Sequence, residues 1–203
     1  MYAIVENNQI TQYVNFPKSI VIGDVRYPAK IFELWSKAEK EAIGIYEIVV
    51  DKTNYKDPGY YINTNSSYTF ADGQVTESWG PATPKKLEDE DAVDKDGENI
   101  LDDDGNQVIN YGLKTEKKRI VKQQASGLLA PTDWYVVKAT EVADYSVPEN
   151  VTTFRSDVRA KSNEMESQIN ACSNVDELKA LYEYTTQEDG TITRPLAEFP
   201  EEI

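Results

Sequence analysis

Apolar positions change period once along this chain. Over residues 1–80 they come in short β-rich runs of three to eight residues, separated by turn pairs; from residue 114 to 185 they recur at helical spacing. Tyr2–Val5 and Gln9–Phe16 flank Asn7-Asn8, which predicts a hairpin. Ile20–Ile22 and Val25–Tyr27 flank Gly23-Asp24 in the same way. Ser36 and Glu39 have capping-box spacing, and Gly44 closes the short helix they open. Ile45–Val50 reads as a buried strand. Tyr68–Phe70 and Val75–Trp79 around Asp72-Gly73 predict another hairpin.

Pro81 and Pro84 mark a boundary, and an acidic stretch from Glu88 to Asn106 follows, punctuated by Asp96-Gly97 and Asp104-Gly105. It reads as a solvated hairpin or linker. From Thr115, a candidate cap, Ile120, Val121, Gln124 and Leu128 share one helical side until Pro131 ends the run. Trp134–Val142 is ambiguous: its β-branched residues favour a strand, while the polar Thr132-Asp133 step before it favours a helix start. Pro148 suits a first helical position. Val151, Phe154, Val158, Met165 and Ile169 then form one stripe, with Asp157 and Lys161 spaced as a supporting pair. Asn174 and Glu177 open a last helix over Val175, Leu178, Leu181 and Tyr182. The tail, 186–203, reads as extended, and no internal repeat is evident. The expected fold class is α+β, divided into a β-rich domain (1–80), an acidic linker or hairpin (81–113), a helical domain (114–185) and the tail.

Charge narrows the classes of partner. The net charge is −15, and residues 88–106 hold ten acidic groups against one lysine. Such a chain repels phosphate, which argues against nucleic acid and anionic membrane as partners. No apolar run approaches the ~20 residues of a membrane helix, and Met1–Val5 reads as a strand rather than a signal peptide. With no histidine and one cysteine, Cys172, the commonest general base and thiolate zinc sites are missing. No catalytic, cofactor or metal site is therefore expected.

Individual candidates fall to plainer readings. An EF-hand register that sets Gly105 at loop position 6 puts Ile100 at position 1, and one on Gly97 puts Ala92 there, so neither supplies the ligands calcium needs. Lys114, Lys117, Lys118, Arg119 and Lys122 read as the wet face of a helix, docked against the acidic segment. Cys172 reads as a small core residue. A heptad through Val151, Phe154, Val158 and Met165 is interrupted by Lys161 and Gln168, so the stripe is expected to pack on the preceding helix rather than in a long coiled coil. Trp35, Trp79 and Trp134, with the 13 tyrosines, suit a recognition surface or small cores, and cores are the plainer choice. Paired acids for polysaccharide hydrolysis are a spatial requirement that sequence does not test.

One pattern is more specific. Leu128-Leu129-Ala130-Pro131-Thr132-Asp133-Trp134, followed by Phe154-Arg155-Ser156-Asp157-Val158-Arg159, resembles the C-terminal region of tail-fibre assembly proteins of tailed bacteriophages and related phage domains. Those carry a leucine pair, a Thr-Asp-Trp step and an aromatic-Arg-x-x-Leu-Arg helix. Phe154 here stands for their usual tyrosine, Val158 for their leucine and Pro131 for a small residue. The match covers about residues 118–160. Ile31–Ser36 and Ala42–Ile45 are similar to phage tail-fibre-associated sequences in a looser way.

The resemblance implies a non-enzymatic protein that binds a tail or tail-fibre polypeptide. The first expectation is a virion structural or adaptor component of the tail region, made in the host cytoplasm, with homo-oligomers possible. The extra β-rich domain favours it over an assembly chaperone released after fibre folding. The resemblance further implies that Thr132 or Asp133 caps a helix, that Trp134 anchors the helix pair, and that Arg155 and Arg159 pair with Asp133 or a neighbouring acid.

Overall fold

Asn7 and Asn8 both take positive φ, 52° and 61°, and so fold Tyr2–Glu6 (β1) back onto Gln9–Val14 (β2) in the tight turn that asparagine favours. The computed structural model describes all residues, 1–203, in two compact units, Met1–Thr83 and Pro84–Ile203. Together the units give the expected α+β class.

In the first unit, Ile20–Ile22 (β3) and Val25–Tyr27 (β4) make the second predicted hairpin over Gly23. A short helix, Ile31–Leu34 (α1), which the sequence pattern did not indicate, precedes Lys37–Ala42 (α2). Ser36 opens α2 with the full capping box: its hydroxyl accepts from Glu39 N while Ser36 N donates to the Glu39 carboxylate at 2.8 Å. Ile45–Asp51 (β5), Tyr61–Ile62 (β6), Ser66–Ala71 (β7) and Gln74–Trp79 (β8) follow.

The main sheet has the order β2-β1-β5-β8-β7, with β5 and β8 parallel and the other pairs antiparallel. Alternation along β1 supplies both faces. Ile4 joins Val14, Ile20, Ile31, Phe32 and Ile45 on one side, under the helices and the β3–β4 hairpin. Ala3 and Val5 join Ile48 and Val75 on the other. The Tyr13 and Tyr68 rings lie 4.8 Å apart, so the two edge strands approach and the sheet curls. Val49 and Val50, expected in a buried strand, are exposed, because β1 ends opposite Glu47 and nothing covers the end of β5.

A short strand, Thr83–Pro84 (β9), lies at the division. The acidic segment of the second unit is ordered by its backbone. Glu90–Asp91 (β10) pairs with Ile109–Asn110 (β11), and two hairpin turns lie between them over Gly97 and Gly105. Ile100 N donates to Ala92 O, Val108 N to Ile100 O and Ala92 N to Val108 O, each at 2.8–2.9 Å, closing a ring of three residues eight apart. An internal repeat is therefore present after all. Val93–Ile100 and Leu101–Val108 share the pattern apolar-Asp-x-Asp-Gly, and in each the first aspartate accepts from two backbone N–H groups of its own turn. Its small apolar pairs at a short period hide it from a search for longer repeats.

Those N–H groups, chiefly Asn106 N, and the Asn106 side chain hold the Asp102 carboxyl below its usual value. A lowered folded value means that the stabilisation is present above the ordinary aspartate value near ~3.9 and is lost as pH falls through the folded one. The amide signals of Asp104 and Asn106 are expected to stay unchanged by NMR from neutrality to about pH 5 and to move only below about pH 4. Movement centred well above that range would show that Asp102 does not hold the turn.

The helical part begins at Leu113–Leu129 (α3), two residues before Thr115. Its first N–H groups are met from upstream: Gly112 N by Asp89 Oδ1, Leu113 N by Lys86 O and Lys114 N by Leu87 O. Thr115 instead bonds Asp89. Ala130–Thr132 forms one 3-10 turn, and the chain resumes as Asp133–Glu141 (α4), which settles the ambiguous stretch as helix. Pro131 does not stop the chain, because it falls in a first turn where its missing N–H has no bond to lose.

Glu149–Ala171 (α5) buries Val151, Phe154, Val158, Met165 and Ile169 as one stripe and packs on α3, whose inner residues are Val121 and Ala125. Ile120 is exposed. Lys161 pairs with Glu164 at 2.8 Å rather than with Asp157. Val175–Ala180 (α6) starts on Asn174, whose side chain accepts from Glu177 N. The segment after Tyr184 does not stay extended. Thr185–Thr186 (β12) and Ile192–Thr193 (β13) form a hairpin, Leu196 is buried, and Phe199 packs beside Phe154 and Val158.

Candidate interaction site

The Leu-Leu and Thr-Asp-Trp elements meet the Phe-Arg helix at one joint. Leu128 and Leu129, at the end of α3, pack against the cluster of Ala125, Phe154 and Val158. One turn of helix beyond Val151, the same face of α5 sets Arg155 against the break between α3 and α4. Arg155 Nη1 donates to Leu129 O at 3.1 Å, Thr132 Oγ1 at 2.6 Å and Asp133 Oδ1 at 2.8 Å. The Thr132 hydroxyl in turn donates to Leu129 O at 2.7 Å. A helix end leaves carbonyls without intrahelical partners; here a guanidinium meets the one at Leu129. The side chain of Arg155 is only 11% exposed, whereas that of Asp133 is 61% exposed.

The capping expectation is corrected by this geometry. Neither Thr132 nor Asp133 makes a side-chain cap to α4, because Thr132 is already in helical conformation and its hydroxyl faces back towards α3. Arg159 makes no ion pair with Asp133; it donates to Arg155 O of its own helix at 3.2 Å.

The larger correction concerns Trp134, which is 52% exposed and anchors nothing. Its ring centroid lies 3.8 Å from that of Tyr135. The anchoring role falls to Arg155. Trp134→Ala is accordingly expected to lower unfolding stability by less than about 1 kcal/mol in a urea titration; a loss of 3 kcal/mol or more would place the ring in a core.

The joint leaves α4 outside the packing. This nine-residue helix has no buried residue. Trp134, Val137, Lys138 and Glu141 fall at i, i+3, i+4 and i+7, and all four are exposed, while Tyr135 and Ala139 on the inner side are half-buried. Val142 extends the exposed apolar surface past the helix end. Lys138 Nζ lies 4.3 Å from the Tyr145 ring and 5.7 Å from that of Trp134. Sequence reasoning missed this face. Its signal was the run of apolar residues Trp134, Tyr135, Val136 and Val137 in one short element.

Other candidates sit apart from it. Lys114 is buried and pairs with Glu88 at 2.6 Å, so the basic cluster does dock on the acidic segment at that point. Lys122 pairs with Glu166 of α5 at 3.3 Å. Cys172 ends α5 in a buried position, donates to Gln168 O at 3.4 Å, and burial with the nearby Glu177 charge pushes its thiol pKa up. Such a thiol is a poor nucleophile. Trp35 and Trp79 are half-buried beside Tyr27 and Tyr55. No helix is long and apolar enough to cross a membrane. In comparisons with protein-family models, curated proteins and solved structures, nothing matches this chain.

Proposed function

We propose that this is a non-enzymatic protein of a tailed bacteriophage that binds tail or tail-fibre polypeptides, as a structural or adaptor component of the virion. The observation that carries the reading is the exposed α4 helix displayed by the Arg155 joint. Monomeric proteins seldom leave apolar patches beyond a few hundred Å2 in water without an interaction to make there. A nine-residue helix with exposed Trp134, Val137 and Val142 and no buried residue stabilises the fold little, so its composition suits contact with another chain. The residues that build the joint are those of the phage-like pattern, which supports a tail or fibre polypeptide as the class of partner.

Mass spectrometry of purified particles tests the location. Recovery in stoichiometric amounts supports the virion component. Absence from particles, with fibres misfolding when the protein is deleted, would replace it with a chaperone released after assembly.

A further inference from the structure

Arg155 and Arg159 stand one turn apart on α5 and line one cleft, about 260 Å3 in volume, together with Val136 of α4, Val147 and Thr152. Like charges four residues apart on a helix repel each other. One carboxylate answers the two: Asp133 pairs with Arg155, and none of the chain's ion pairs includes Arg159. The donors are underused as well. All the side-chain hydrogen bonds of Arg155 leave through Nη1, and Arg159 makes its one bond, to Arg155 O, through its own Nη1. A guanidinium carries N–H donors on every one of its nitrogens. Both arginines therefore keep donors to spare, in a chain with 36 acidic residues.

We propose that this cleft takes an aspartate or glutamate side chain of the tail or tail-fibre polypeptide that α4 meets. This rests on reading α4 as a contact face and adds the chemistry its partner must carry. The cleft is smaller than the roughly 300–1,000 Å3 of small-molecule sites, and suits a single side chain. A carboxylate accepts from two parallel N–H groups of one guanidinium. Val136 and Val147 border the site with apolar surface, where charges attract more strongly than in open water. Val136 and Val137 are consecutive on α4, so their side chains point about 100° apart around the helix. A segment lying over Trp134 and Val137 can therefore reach the cleft with a neighbouring residue. The sequence recognised is one acid beside apolar residues.

Overlapping synthetic peptides that tile the tail and tail-fibre polypeptides of the particle are the probe, with Kd read by fluorescence anisotropy against the full-length protein. Peptides that bind are expected to carry aspartate or glutamate beside apolar residues. Replacing that acid by its amide, or Arg159 by alanine, is expected to weaken binding about tenfold. The two changes together should cost no more than either alone, because each removes the same contact. Arg159→Glu is expected to weaken binding further, and lysine in place of the peptide's acid to recover part of that loss. Arg159 is the residue to change, since Arg155 also holds the joint. Circular dichroism confirms that each variant is folded.

Binding that Val137→Asp abolishes but Arg159→Ala leaves intact overturns the carboxylate cleft and keeps α4 as a contact face. Peptides that bind at full strength without an acid also overturn the cleft, as do losses that simply add. If no tail or fibre peptide binds, or if binding is indifferent to Val137→Asp and Arg159→Ala alike, both readings fall.

Discussion

Arg155→Ala is expected to cost about 2–4 kcal/mol of unfolding free energy, read as a lower urea midpoint at unchanged slope. The side chain is 11% exposed and its Nη1 meets Leu129 O, Thr132 Oγ1 and Asp133 Oδ1. Its loss leaves a helix-terminal carbonyl and a partly buried hydroxyl with fewer partners, and a gap between α4 and α5. Arg155→Lys should recover part of the loss, since the three acceptors converge on the single nitrogen Nη1 and an ammonium carries three donors, on a shorter and more flexible stem. Asp133→Ala is the control. That carboxylate is mostly solvated, so removing it should cost under about 1 kcal/mol. Equal losses for Arg155→Ala and Asp133→Ala would mean that the exposed ion pair, rather than the arginine's hold on α3, is what matters.

This contrast also shows where sequence reasoning stopped. Hairpins at Asn7-Asn8, Gly23-Asp24 and Asp72-Gly73 were legible because the residues that adopt positive φ stand inside the turns they make. Ser36 and Asn174 were legible as caps because their partners, Glu39 and Glu177, are three residues away. The α5 stripe was legible because burial on a helix repeats with the helix.

The misses share a different cause. The start of α3 depends on Lys86, Leu87 and Asp89, which reach it from 23 or more residues upstream. The burial of Leu196 depends on α6, whose Leu181 carbonyl accepts from Leu196 N. The anchoring role expected of Trp134 came from its place in the phage-like pattern, which carries no contact information. Which side chain fills a joint is decided by where the returning helix arrives, and α5 brings Arg155 there instead. The pattern Leu-Leu…Thr-Asp-Trp…Phe-Arg thus did mark a structural joint, but its tryptophan sits on the outside, where it is free for contact.

The largest effect in the first unit is expected at Gly44, where two penalties coincide. Gly44 follows α2 at φ +83°, a conformation that costs a non-glycine residue of order 1 kcal/mol or more. An added Cβ would also lie 2.5 Å from Val5 O, a backbone atom in the central part of the sheet. It is not free to retreat, because Val5 N donates to Gly44 O at 2.8 Å and β1 is held between β2 and β5. Relief of the clash must therefore break that bond or displace β1, with Ile4 and Val5 in the two cores. Gly44→Ala is expected to cost about 3–5 kcal/mol, from strain, overpacking and the strained hydrogen bond together. Gly73 isolates the first contribution: it sits at φ +73° with nothing within 4 Å of an added Cβ. Gly73→Ala should then cost only about 1 kcal/mol. Urea unfolding of both variants, followed by the far-ultraviolet signal, reads the difference. If the two losses are equal, β1 yields to the methyl group and the close approach of Gly44 to Val5 is not what constrains this position.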